Sequence, residues 1–181
     1  MLELGETLHL KPFNEQEAYQ LIERPTHNHL DYSAEALQLI WRLTGGSPFL
    51  IHAFCFNLVR HMAYSNRRQV QESDVEAVQL DFMNPGESLF AHLLDMIQSP
   101  AAEAICGYLA QVLNRADSLV SRRDFRQALP HLSEKQLDDT LEKLVDQDIL
   151  VEMKPGAWQF ASLLFGRWLA VNRILEQHDF N

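Results

Sequence analysis

"LTGGSPFLI", residues 43–51, is the stretch that decides how this chain is read. Two glycines, a serine and a proline stand directly before an apolar run. Gly45 and Gly46 can adopt positive φ and so end a helix at little steric cost. Ser47 can cap the following helix through its hydroxyl. Pro48 suits the first helical position, where its missing N–H is no loss. The stretch predicts helix, sharp turn, helix.

Upstream of the turn, "LHLKPFN" (8–14) alternates Leu8 and Leu10 and runs into a proline, the pattern of a strand leaving a sheet. No partner strand follows, and a lone strand is not stable, so the rest of its sheet is expected outside this sequence. Asn14 and Glu17 have capping-box spacing, followed by Ala18, Leu21 and Ile22 at helical spacing, and Pro25 closes that helix. Ser33 can cap a second helix with Leu37, Ile40 and Trp41 on one face. Downstream of the turn, Phe49, Leu50, Ile51, Phe54, Cys55, Phe56, Leu58, Val59 and Met62 cover most of a helix circumference. A helix apolar nearly all round is buried, so this third helix is expected at the centre of a bundle. Ser73 and Glu76 offer a capping box for a fourth.

Asn84, Pro85 and Gly86 in "DFMNPGES" (81–88) make the best linker. Beyond it, "GESLFAHLLDMI" is amphipathic, and Ser99–Pro100 starts a helix reaching Leu113. Ser121 with Asp124, and Ser133 with Gln136, box two further helices. "ILVEMKPGAWQFA" reads as strand, Pro–Gly turn, strand. Three helices and then a hairpin is the order of a winged helix. A last helix carries Leu163, Leu164, Phe165, Trp168, Leu169, Val171 and Ile174. The expected fold is therefore mainly α. Residues 1–13 are the remnant of a strand, 14–82 a four-helix bundle, and 83–181 a winged-helix domain with a small β-hairpin wing and a closing helix.

Composition narrows the function. The 181 residues are 46% hydrophobic and carry a net charge of −10. Each side of Pro85 carries −5, so neither half looks like a general polyanion binder. No apolar run has membrane-spanning length and no signal peptide is recognisable. Cys55 and Cys106 sit in apolar helical patterns, which points to a reduced, cytoplasmic protein without a membrane partner. No glycine precedes a lysine, so a phosphate-binding Walker loop is missing, as is a Gly-x-Ser-x-Gly elbow. His27 and His29 fall in a loop. His52 and Cys55 lie one helical turn apart, too few ligands for zinc, and His52 is expected to pack. Asp138 and Asp139 read as a solvated helix face.

The residues from Leu8 to Val59, with the turn at their centre, resemble the helical lid of P-loop ATPases of the STAND class (signal-transduction ATPases with numerous domains) and of their AAA-type relatives. "ILVEMKPGAWQFASLLFGRWL" resembles the wing and closing helix of the winged-helix domain that follows such lids. The resemblance implies that Gly46, Ser47 and Pro48 face a bound nucleotide, ATP or ADP, held mainly by an upstream ATPase core. A helix N-terminus suits such a polar ligand. Many AAA-type lids place an arginine at this helix start to reach the γ-phosphate. Here the position is apolar, and Arg24 and Arg42 are expected to be solvated surface residues. The implied function is a nucleotide-responsive lid and regulatory module without catalysis of its own, its winged helix contacting a protein partner. The alternative from another class is a stand-alone winged-helix transcription regulator. For that, Arg122, Arg123 and Arg126 in "SRRDFRQ" are the candidate DNA contacts. The helix at 133–146 opposes it: two lysines stand against five carboxylates.

Overall fold

A computed structural model describes residues 11–84, 88–113 and 119–178. The fold is mainly helical, with a small antiparallel sheet. Residues 8–10 of the expected strand at 8–14 lie outside the described residues, and the other four, Lys11–Asn14, are not in a strand. Residues 85–87 of the expected linker also lie outside them.

The first helix, α1 (Glu15–Glu23), starts at the Asn14–Glu17 capping box and stops two residues before Pro25. A short strand, β1 (Asp31–Tyr32), leads into α2 (Ala34–Thr44), capped by Ser33. Next come α3 (Pro48–Ser65), β2 (Gln69–Val70) and α4 (Glu72–Asp81). β1 and β2 pair in parallel. Two-residue strands carry no periodic signal, and none was expected here. Nor does α4 start at the expected Ser73–Glu76 box. Its N-cap is Gln71, and the Asp74 carboxylate accepts from the Gln71 N–H at 3.0 Å. Asp74 wins because Arg67 and His61 hold its carboxylate on the inner side of the helix start.

The expectation for α3 needs correction. Leu50, Ile51, Phe54, Leu58 and Met62 are buried against α1, α2 and α4. Phe49, Phe56 and Val59 are 54%, 61% and 40% exposed, and His52 is exposed rather than packed. Three neighbours cover only part of a helix circumference, so composition overstated its burial.

In the second half, a 3-10 turn at Ser88–Phe90 enters α5 (Ala91–Met96), and α6 (Pro100–Leu113) follows. Then β3 (Val120–Ser121) leads directly into α7 (Arg122–Ala128), boxed by Ser121 and Asp124, and α8 (Glu134–Asp146) is boxed by Ser133 and Gln136. The hairpin is β4 (Leu150–Lys154) and β5 (Ala157–Phe160), turning at Gly156, with φ 74°. The unexpected β3 pairs antiparallel with β5, giving the order β3-β5-β4. Finally α9 (Leu163–His178) packs along α6 and reaches α2.

One buried cluster runs through both halves. The Phe49 ring of α3 meets the His92 ring of α5 edge-on at 5.8 Å, ring centre to ring centre. Polar bonds cross the seam as well: Arg167 donates to Gln79 at 2.6 Å, and the Trp168 indole donates to the Asn84 carbonyl at 3.1 Å.

Candidate functional site: the turn at Gly45–Pro48

The turn folds as its residue types dictate. Gly45 caps α2 in the left-handed region at φ 61°, and Gly46 follows at φ 72°. The buried Thr44 hydroxyl donates to the Ile40 carbonyl at 2.8 Å, closing the last turn of α2. The Ser47 N–H donates to the Thr44 carbonyl at 3.2 Å. Ser47 then caps α3: its Oγ accepts from the Leu50 N–H at 3.4 Å and its carbonyl from the Ile51 N–H at 2.9 Å. Pro48 is the first residue of α3 and has no N–H to satisfy.

What the residue types did not announce is how closely the turn is enclosed. The Gly46 carbonyl accepts from the Phe13 N–H at 2.9 Å, and the Trp41 indole donates to the Phe13 carbonyl at 3.3 Å. A Cβ on Gly46 would stand 2.2 Å from the Phe13 carbonyl oxygen. On the other side, a Cβ on Gly45 would stand 2.1 Å from the Ala161 carbonyl oxygen. Next to that contact the Ser162 hydroxyl donates to the Leu43 carbonyl at 2.8 Å and accepts from the Phe165 N–H at 3.2 Å. The glycines are thus needed for two close backbone approaches as well as for their φ angles.

Gly46 is buried under Phe13, whereas Ser47 and Pro48 remain partly accessible. Both line a cleft of about 180 Å³ with His92, Met96, Gln147 and Asp148. Gln147 Oε1 is buried there without a hydrogen-bond partner among the described residues. That volume is below the ~300 Å³ at which ligand pockets begin, so the cleft alone does not enclose a nucleotide. Pro48 also borders a larger, apolar groove of about 380 Å³ between α1 and α3. Its wall includes Cys55, whose thiol is pushed up to about 12 by burial and stays protonated.

The three arginines of α7 are placed differently from one another. Arg122 makes a bidentate pair with Asp138 of α8, at 2.8 and 2.7 Å. The hydrogen bonds and charge of Asp138 hold the guanidinium above its ordinary range, and the reciprocal bonds hold Asp138 below the usual carboxylate range. Arg126 pairs with Glu134. Arg123 is exposed. Two of the three are therefore engaged by carboxylates of the neighbouring helix.

A polar cluster that sequence reasoning missed lies at the far end of α3. Asp74 is 3% exposed and bonds to Arg67 and His61, the latter at 3.3 Å. Burial pushes its carboxyl up, but the Gln71 N–H, Arg67 and His61 outweigh this and hold it below the usual range. It ties α3 to α4. Its members are spread over 14 residues in no known spacing, so no sequence signal could have found it. Among the described residues no group of three or more His, Cys, Asp or Glu is placed to hold a metal ion, and no helix is long and apolar enough to cross a membrane.

Comparison of the chain with protein-family models and with curated proteins gives no match.

Proposed function

We propose that this chain is the helical lid and winged-helix module of a multi-domain P-loop ATPase of the STAND or AAA type. It responds to ATP or ADP held by an upstream core and has no catalysis of its own. The observation that carries the reading is the joint at the turn. Phe13, the last residue before the lid, is bonded to Gly46 at the start of α3. A core preceding Phe13 would therefore have its exit fastened to the helix start that faces the nucleotide. Ser47 and Pro48 stay accessible there, at the positive end of the α3 dipole.

The second half supports a winged-helix reading through its order. Three helices α6, α7 and α8 precede the hairpin, and β3, between α6 and α7, completes the sheet. We read this unit as a protein-facing regulatory surface. The arginine pairs favour that over the transcription-regulator alternative, since Arg122 and Arg126 already neutralise carboxylates of α8, the helix that would enter a major groove.

The experiment uses the full-length protein and a fluorescent ADP analogue. Pro48→Ala should speed release of the analogue, because the ring no longer packs on the nucleotide. Unchanged release in both Pro48→Ala and Ser47→Ala would sink the proposal. A coding sequence upstream of Met1 lacking a Gly-Lys-Ser/Thr loop would sink it sooner.

A further inference from the structure

We infer that the outward face of α3 is a docking site for an amphipathic helix whose apolar stripe is flanked by carboxylates. This rests on α3's composition and exposure and is independent of any nucleotide at the turn.

Phe49, Phe56 and Val59 are exposed at helical spacing. Phe56 and Val59 face Leu21 of α1 and Pro25 across a groove of about 380 Å³ that is almost wholly apolar, whereas Phe49 stands outside it, edge-on to the His92 ring at 5.8 Å. A concave apolar strip beside a long helix is what receives side chains at i, i+3 or i+4, and i+7 of a partner helix. At 18 residues, α3 offers about 27 Å of length for that contact.

Charge selects the occupant. Although the chain carries −10, α3 contains no Asp or Glu. Its exposed polar residues include His52 and Arg60, and the Arg60 guanidinium lies 5.9 Å from the centre of the Phe56 ring. That cation–π contact keeps a positive charge at the edge of the apolar centre. On the α1 side, Glu17 is turned into its own cap, accepting from the Asn14 N–H at 3.0 Å. Arg24 there bonds to Gln20. A partner helix with acidic flanks meets Arg60 and His52 at the rim.

A second copy of this chain fits less well. An antiparallel pairing of two α3 faces about Phe56 sets Arg60 of one copy opposite His52 of the other, with no acid on α3 to neutralise either. An anionic membrane would attract Arg60, but a flat surface does not fill a groove.

The test is fluorescence anisotropy with a labelled Leu/Glu amphipathic peptide matched to the 18 residues of α3, and a Leu/Lys twin of the same apolar pattern. The acidic peptide should bind, and the basic twin at least about tenfold more weakly. Phe56→Ser and Arg60→Glu, both at exposed positions, should each weaken the acidic peptide by about tenfold or more. Arg60→Glu should also narrow the preference between the peptides, which loss of apolar area alone does not do. Equal binding of the two peptides, or none, would overturn the proposal. So would dimerisation that Phe56→Ser abolishes, or co-sedimentation with phosphatidylserine vesicles that Phe56→Ser abolishes.

Discussion

Gly45 and Gly156 both turn the chain at positive φ, 61° and 74°, but the surroundings of the two could hardly differ more. Around Gly156, at the tip of the hairpin, an added Cβ would meet nothing within 4 Å. Its close polar contacts stay within its own half of the molecule: its N–H donates to Glu152 at 2.6 Å, and its carbonyl accepts from the Arg122 N–H at 3.0 Å. Around Gly45 an added Cβ would run into the backbone of Ala161. The adjoining bond, from Ser162 to the Leu43 carbonyl, joins residues 119 positions apart. The glycine at the wing serves a turn, whereas the glycine after α2 also serves a joint between the two halves of the molecule.

Substituting the glycines tests that contrast directly. Gly45→Ala should have the largest effect, more than about 3 kcal/mol, because left-handed strain adds to a collision that only separation of the halves relieves. Urea unfolding should show it as a lower midpoint, and splitting into two transitions would sharpen the case for a joint. Gly46→Ala should follow at about 2–3 kcal/mol, since its Cβ would collide with one backbone atom, the Phe13 oxygen, whereas at Gly45 it would meet both the oxygen and the carbon of the Ala161 carbonyl, at 2.1 and 2.6 Å. Ser162→Ala keeps both backbones in place but removes two hydrogen bonds from a buried site, and should cost about 1–3 kcal/mol. Gly156→Ala carries the strain alone, about 1 kcal/mol. If it proved as costly as Gly45→Ala, the distinction between turn and joint would collapse.

The smallest effect is one of pH. Asp74 is held below the usual carboxylate range, so its contribution is fully present above that range and is lost as pH falls through its folded value. Asp74→Asn should flatten the acid side of the stability profile. The Gly45 joint is made of backbone and hydroxyl groups, so the penalty of Gly45→Ala should not change over the same interval. A penalty that shrinks in acid would mean that the joint depends on a charge.

The same contrast explains what could be read from the sequence. The caps at Asn14, Ser33, Ser47, Ser121 and Ser133 formed where their residue types indicated, because a cap is decided within four residues. The β4–β5 hairpin is equally local. Where a distant group intervened, the reading failed. Asp74 displaced the Ser73–Glu76 box because Arg67 and His61 hold its carboxylate. The apolar run of α3 suggested burial on all sides, but three neighbours left Phe49 and Phe56 uncovered. At the candidate site, the shape of the Gly45–Pro48 turn was legible. Its contacts with Phe13 and Ala161 were not, since no pattern within the turn encodes a residue 116 positions away.

Phe13 has a consequence of a mechanical kind. Both of its backbone groups are fastened, the N–H to Gly46 and the carbonyl to the Trp41 indole. A pull on the N-terminal end of the chain therefore does not begin by peeling α1. The load passes first into the joint between α2 and α3, and α1 bears it only after those two bonds have parted. Phe13 works as a strain relief, like the clip that keeps a tug on a cable from reaching the solder.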